Sequence, residues 1–188
     1  MKGNRGKVLS EAEYKLGLHC GITFAGIKTA SLFRVKVEEL KTVFGIVKYF
    51  LKRGFGIKLF KIEKTGSLLY VYNEKKLSER LFDDENRKFL AEEGYGYTSL
   101  EEAMTQLRVR LKGEDFPHEI GVFLGYPLED VKGFINNPYS GYKILGYWKV
   151  YSNEEETAKI FERYKRCSAC ICDKMSHGKS LTEIFNLT

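Results

Sequence analysis

Cys167, Cys170 and Cys172 fall within six consecutive residues, and His177 follows five positions later. Thiolates and imidazoles are the usual ligands of zinc, and thiolates hold iron–sulfur clusters, so the segment is a candidate metal site with Cys20 as a distant fourth thiol. The spacing is incomplete for either group. A typical zinc site has two separated ligand pairs, and a ferredoxin-like run has regular two-residue gaps with another cysteine close by. Local conformation decides what the segment can do. A helix running through it puts Cys167 on an apolar stripe with Ile160, Phe161, Tyr164 and Ile171 and scatters the thiols, whereas a helix ending near Cys170 gathers them.

A second set of reactive groups is His118 and Glu119, directly after Pro117, and Cys20, which has His19 beside it. A proline starts a helix well, and a carboxylate in the first turn suits the positive end of the helix dipole. Cys20, His118 and Glu119 are therefore candidate catalytic residues of a thiol-dependent enzyme, with a thiolate as nucleophile and an imidazole to move the proton. That chemistry requires contact in space. Without it, Cys20 is a small buried thiol and His118-Glu119 an ordinary helix turn.

Lysines supply a third candidate. Lys41, Lys48 and Lys52 share one face of a helix, and Lys58, Lys61 and Lys64 follow in the next segment, so a basic helix–hairpin face is available to an anionic cofactor or an acidic partner. The plain alternative is a solvated surface. Residues 118–136 also fit a helix-turn-helix template, with Ile120 and Leu124 in the first helix, Gly125 at the turn, and Val131 and Phe134 in the second. Glu129 and Asp130 would then face phosphates, which argues against nucleic acid as the partner. Tyr142, Tyr147, Trp148 and Tyr151 are placed to stack on a flat ligand or simply to pack a strand.

Elements that must position these groups are marked by local patterns. Four Ser/Thr-x-x-Glu pairs, Ser10/Glu13, Thr98/Glu101, Ser152/Glu155 and Ser180/Glu183, read as helix N-termini. Leu40, Val43, Phe44, Val47, Phe50 and Leu51 recur at helical spacing, with Gly54 as terminator. Apolar runs around Thr65-Gly66 predict a β-hairpin over about 55–73, whose second strand is apolar on both sides and therefore interior. Helices are expected from about 76 to 93 and from Thr98, a strand over about 142–151, and a strand or structured loop over 22–35.

The chain has 188 residues, 43% hydrophobic, with three prolines and no low-complexity tract. That length suits one domain burying roughly 70% of its unfolded surface. The reading is a single α+β domain over 1–188, with a small, mostly antiparallel sheet packed by several helices. No signal-peptide pattern or membrane-length apolar run is present, so a cytoplasmic protein with reduced thiols is expected. No Gly-rich phosphate loop, GxSxG elbow, HExxH or EF-hand motif occurs. The net charge of +6 is uneven: residues 1–75 hold 15 Lys/Arg against 6 Asp/Glu, and residues 76–135 hold 8 against 13.

Three blocks carry a resemblance: His19-Cys20 with Ala25-Gly26-Ile27-Lys28 and Ser31-Leu32-Phe33; Phe116 to Ile135, reading FPHEIGVFLGYPLEDVKGFI; and Gly146 to Tyr151, reading GYWKVY. Together they resemble an uncharacterised family of small cytosolic proteins of unknown function from anaerobic bacteria. The resemblance implies no activity or catalytic residue. The functional expectation is a binding or accessory protein that engages an anionic cofactor, metal or acidic redox partner through Lys41, Lys48, Lys52, Lys58 and Lys61, with a nucleic-acid regulator or a Cys/His enzyme as alternatives.

Overall fold

The computed structural model describes residues 8–63 and 66–187, without the side chains of 61–63. Its centre is a three-stranded antiparallel sheet of β1 (Ala30–Val35), β2 (Phe55–Glu63) and β3 (Gly66–Asn73) in the order β1-β3-β2. The expected hairpin is β2–β3; its turn lies outside the described residues. β3 is the middle strand, and its alternating side chains enter two cores. Tyr70 and Tyr72 face one, while Leu69 and Val71 face the other. A central strand covered on both faces has no solvent side on which to place polar residues, which is why its sequence is apolar throughout. A bulge between Leu59 and Lys61 accommodates Phe60, whose ring stacks on Tyr70 at 5.2 Å.

Helices cover both faces. On the Leu69 side lie α1 (Glu11–Phe24), α2 (Leu40–Leu51), the long α8 (Glu154–Ser176) and the short α9 (Leu181–Ile184). α1 approaches α8 closely because Gly17 and Gly21, one turn apart, leave room for the side chains of Met175 and Ile171. On the Tyr70 side lie α3 (Glu74–Leu81), α4 (Asp84–Glu92), α5 (Leu100–Arg110), α6 (Ile120–Phe123) and α7 (Leu128–Asn136). This is the expected α+β class. The stretch expected as one helix over 76–93 divides at Asp83, whose carboxylate caps α4 by accepting the amide of Asn86.

Two helix starts fall one residue later than the Ser/Thr-x-x-Glu pattern suggests. Ser99 caps α5 and Asn153 caps α8, because the Ser152 hydroxyl is bonded to Asp130 instead. The stretch over 142–151 is not one strand. It reverses at Gly146 into a separate ribbon of β4 (Ile144–Leu145) and β5 (Lys149–Val150). A side chain at Gly146 would meet the ring of Phe161 on α8, so the chain can turn there only with a residue that lacks one. The third strand of the main sheet is instead β1, within the 22–35 segment whose sequence fits either a strand or a structured loop.

Candidate functional site

The ribbon β4–β5 stands over α6 and α7 and leaves a cleft of about 390 Å³ between them. Leu32, Ile120, Leu124 and Val131 supply aliphatic surface; Phe116, Tyr126, Phe134, Tyr147 and Trp148 supply rings; Leu145 stands at the mouth. Phe116, Leu145 and Tyr147 are 51%, 67% and 41% exposed, unusually open for large apolar side chains grouped together. Trp148 stacks on Tyr126 with ring centroids 4.7 Å apart. Burial pushes the Tyr126 phenol up to about 12, so it stays protonated at neutral pH. The α6–α7 turn needs Gly125, at φ +81°, and α6 reaches α7 because Gly121 lies against Val131.

Three polar residues line this space: His118, Asp130 and Lys149. Asp130 is buried and accepts four hydrogen bonds. One carboxylate oxygen accepts the indole N–H of Trp148 at 2.7 Å, and the other accepts the amides of Tyr151 and Ser152 and the Ser152 hydroxyl at 2.8–2.9 Å. It fastens the ribbon to α7. Lys149 donates to the Pro138 carbonyl and lies over the rings of Tyr142, at 4.9 Å, and Phe134, at 5.6 Å. His118 is exposed, and its ring meets Phe134 edge-on at 5.0 Å.

His118 and Glu119 diverge although they are neighbours. Glu119 turns inward, where it accepts the Tyr95 hydroxyl at 3.0 Å and pairs with Arg110 at 3.3 Å. Cys20 is fully buried beyond the sheet, in the core of Phe33, Leu69 and Val71. Burial pushes its thiol far up, against a smaller opposing effect of Lys28. The three residues therefore belong to different layers, and the sheet separates Cys20 from the other two. His19 stacks on Phe33 at 5.4 Å, and burial and the nearby Lys15 and Lys28 lower its basicity.

α8 runs through the whole cysteine segment. Cys167 packs into the core, Cys172 is half-buried and Cys170 is exposed, while His177 caps the helix with Nδ1 2.7 Å from the Asp173 carbonyl oxygen. A helix separates the thiols around its circumference. Among the described residues no three His, Cys, Asp or Glu side chains are grouped to hold a metal ion.

Lysines divide in the same way. Lys41, Lys48 and Lys52 are exposed on the outside of α2, on the Leu69 side of the sheet. Lys58 faces the other side, where it is paired with Glu101 of α5 at 2.6 Å. Lys61 has its backbone in β2 opposite Leu68, and its side chain lies outside the described residues. On α7, Glu129 and Lys132 form an exposed ion pair, and Gly133 is covered by the Tyr151 ring.

Of the aromatic residues picked out in sequence, Tyr147 and Trp148 line the cleft. Phe116, Phe134 and Lys149 join them without any local signal, because they come from three separate segments. One further group stands out: Lys28, in the α1–β1 connection, is buried with its ammonium 5.7 Å from the Tyr126 ring, and burial brings it down to about 8. No helix among the described residues is long and apolar enough to cross a membrane. No curated protein and no solved structure matches the chain. A family model described as protein of unknown function (DUF3793) matches residues 16–185, nearly the whole fold including every wall of the cleft, and the chain belongs to that family.

Proposed function

We propose that the protein is a binding protein whose site is the cleft between α6–α7 and the β4–β5 ribbon, and whose ligand is a small molecule with a flat apolar body. One observation carries this reading: a cavity of about 390 Å³ with five aromatic walls and only three polar side chains. Small-molecule sites are commonly concave, mostly apolar and furnished with a few placed polar groups. Trp148 is the only tryptophan in the chain and stands in the cleft wall, so its fluorescence reports occupancy. The neutral probe N-phenyl-1-naphthylamine should accept energy from Trp148 saturably. The double substitution Phe116→Ser and Leu145→Ser, at two exposed positions, should weaken it about tenfold. Absence of saturable binding, or binding indifferent to the double substitution, overturns the reading.

A second surface supports an acidic protein partner. On the outer face of α2, Lys41, Lys48 and Lys52 meet no carboxylate among the described residues, and they alternate with Phe44 and Leu51, which are 40% and 47% exposed. A synthetic helical peptide of alternating Glu and Leu should bind there with strong salt dependence. Binding that persists after all three lysines are changed to Gln removes this surface from consideration.

A further inference from the structure

We infer that the cleft selects a ligand carrying an anionic group, a carboxylate, sulfonate or phosphate, which is met by Lys149 and His118 at the Phe134 end. This rests on the cleft being a small-molecule site. Both basic side chains approach the same ring: the His118 imidazole lies 5.0 Å from the Phe134 centroid and the Lys149 ammonium 5.6 Å. Lys149 is part-buried and has three N–H donors, of which one is directed at the Pro138 carbonyl.

The nearest acid in the wall does not neutralise it. Asp130 receives four hydrogen bonds, three on one oxygen from the Tyr151 and Ser152 amides and the Ser152 hydroxyl and one on the other from the Trp148 indole, all of them directed to the ribbon and the chain that leaves it. Those bonds tie it to the ribbon, and Lys149 meets no carboxylate among the described residues. What holds the ammonium in place are the faces of Phe134 and Tyr142 and one carbonyl oxygen. A cation so placed beside an apolar cavity has donors left for an anion, and the low local dielectric strengthens that contact relative to water. The aromatic walls take the flat body of the ligand and the Phe134 end takes its charge.

A matched pair of probes separates these two parts. N-phenyl-1-naphthylamine and 1-anilinonaphthalene-8-sulfonate share one ring system and differ by the sulfonate. Dissociation constants for both are read from Trp148 energy transfer. Wild-type protein should bind the sulfonate about tenfold more tightly than the neutral probe. Lys149→Met should abolish most of that preference, read as the ratio of the two dissociation constants, Lys149→Arg should retain it, and His118→Gln should remove a smaller part. Circular dichroism identifies any variant that fails to fold, and the wild-type ratio stands without the variants. If neither probe binds, the cleft reading itself fails. If both bind equally, or the preference survives Lys149→Met, the anion inference alone is overturned.

Discussion

The indole N–H of Trp148 donates to the carboxylate of Asp130 at 2.7 Å, and this bond joins a turn of the β4–β5 ribbon to the first turn of α7. The second oxygen of the same carboxylate receives the chain as it leaves the ribbon, at Tyr151 and Ser152. The roof of the cleft is thus positioned by one buried acid, while α8 supports the Trp148 ring from behind through Phe161, at 4.6 Å.

Asp130→Ala is expected to cost about 3 kcal/mol of stability, because it leaves the Trp148 indole and two amides without an acceptor in a buried place. Urea unfolding followed by circular dichroism measures the loss. Trp148 emission should shift to the red in the folded variant as the ribbon loosens. A change under 0.5 kcal/mol, on the order of an ordinary surface substitution, would show that packing alone holds the ribbon.

Lys28 predicts a pH dependence. Burial lowers its folded value from 10.5 to about 8, so between those values the unfolded chain binds the extra proton and stability rises with pH. Below pH 8 the cost of the buried charge is present in full. Lys28→Met should therefore stabilise the protein at pH 7, by up to roughly 3 kcal/mol, and this advantage should shrink between pH 8 and 10.5. Comparing the two proteins at each pH cancels tyrosines such as Tyr126, whose raised folded value acts in the opposite direction at high pH. An advantage that stays constant across the range contradicts the assignment.

The thiols should differ in reactivity. Cys170 is exposed, Cys167 and Cys172 are half-buried, and Cys20 is enclosed with its thiol pushed up by burial. Since the thiolate is the reactive form, iodoacetamide at pH 8 should label Cys170 first and Cys20 only in denaturant, as followed by peptide mass spectrometry. Labelling of Cys20 at the rate of Cys170 would require an opening that this packing does not provide.

Two helical glycines should respond in opposite ways to alanine. A Cβ at Gly45, exposed on α2, meets nothing within 4 Å, so Gly45→Ala should stabilise by about 0.5–1 kcal/mol. At Gly121 it would lie 2.7 Å from a methyl of Val131, a β-branched side chain with little freedom to move. Gly121→Ala should cost about 1–3 kcal/mol and weaken probe binding in the cleft. Thermal unfolding of both variants checks the pair, and equal signs would refute the packing argument.

Periodicity and turn chemistry determined the parts of this protein that depend on neighbours in the chain. The apolar stripe of α2 with its stop at Gly54, the β2–β3 hairpin, the doubly buried β3 and the Gly125 turn are all legible because each is set within one or two turns of backbone. Tyr147 and Trp148 are legible in the sequence as aromatics able to stack on a flat ligand. Only the tertiary structure decided which groups meet. His118 and Glu119 are adjacent in sequence yet face a cleft and a core, since successive residues in a helical turn point about 100° apart. Cys20 is removed from both because a sheet residue's parity assigns its neighbours to one face, and Cys20 packs against Phe33, Leu69 and Val71 rather than Tyr70. Lys58 and Lys41 separate for the same reason. The cleft itself brings together Phe116, Phe134 and Lys149 from three distant segments, and that closure depends on Asp130 reaching amides some twenty residues further along the chain, a contact no local pattern encodes.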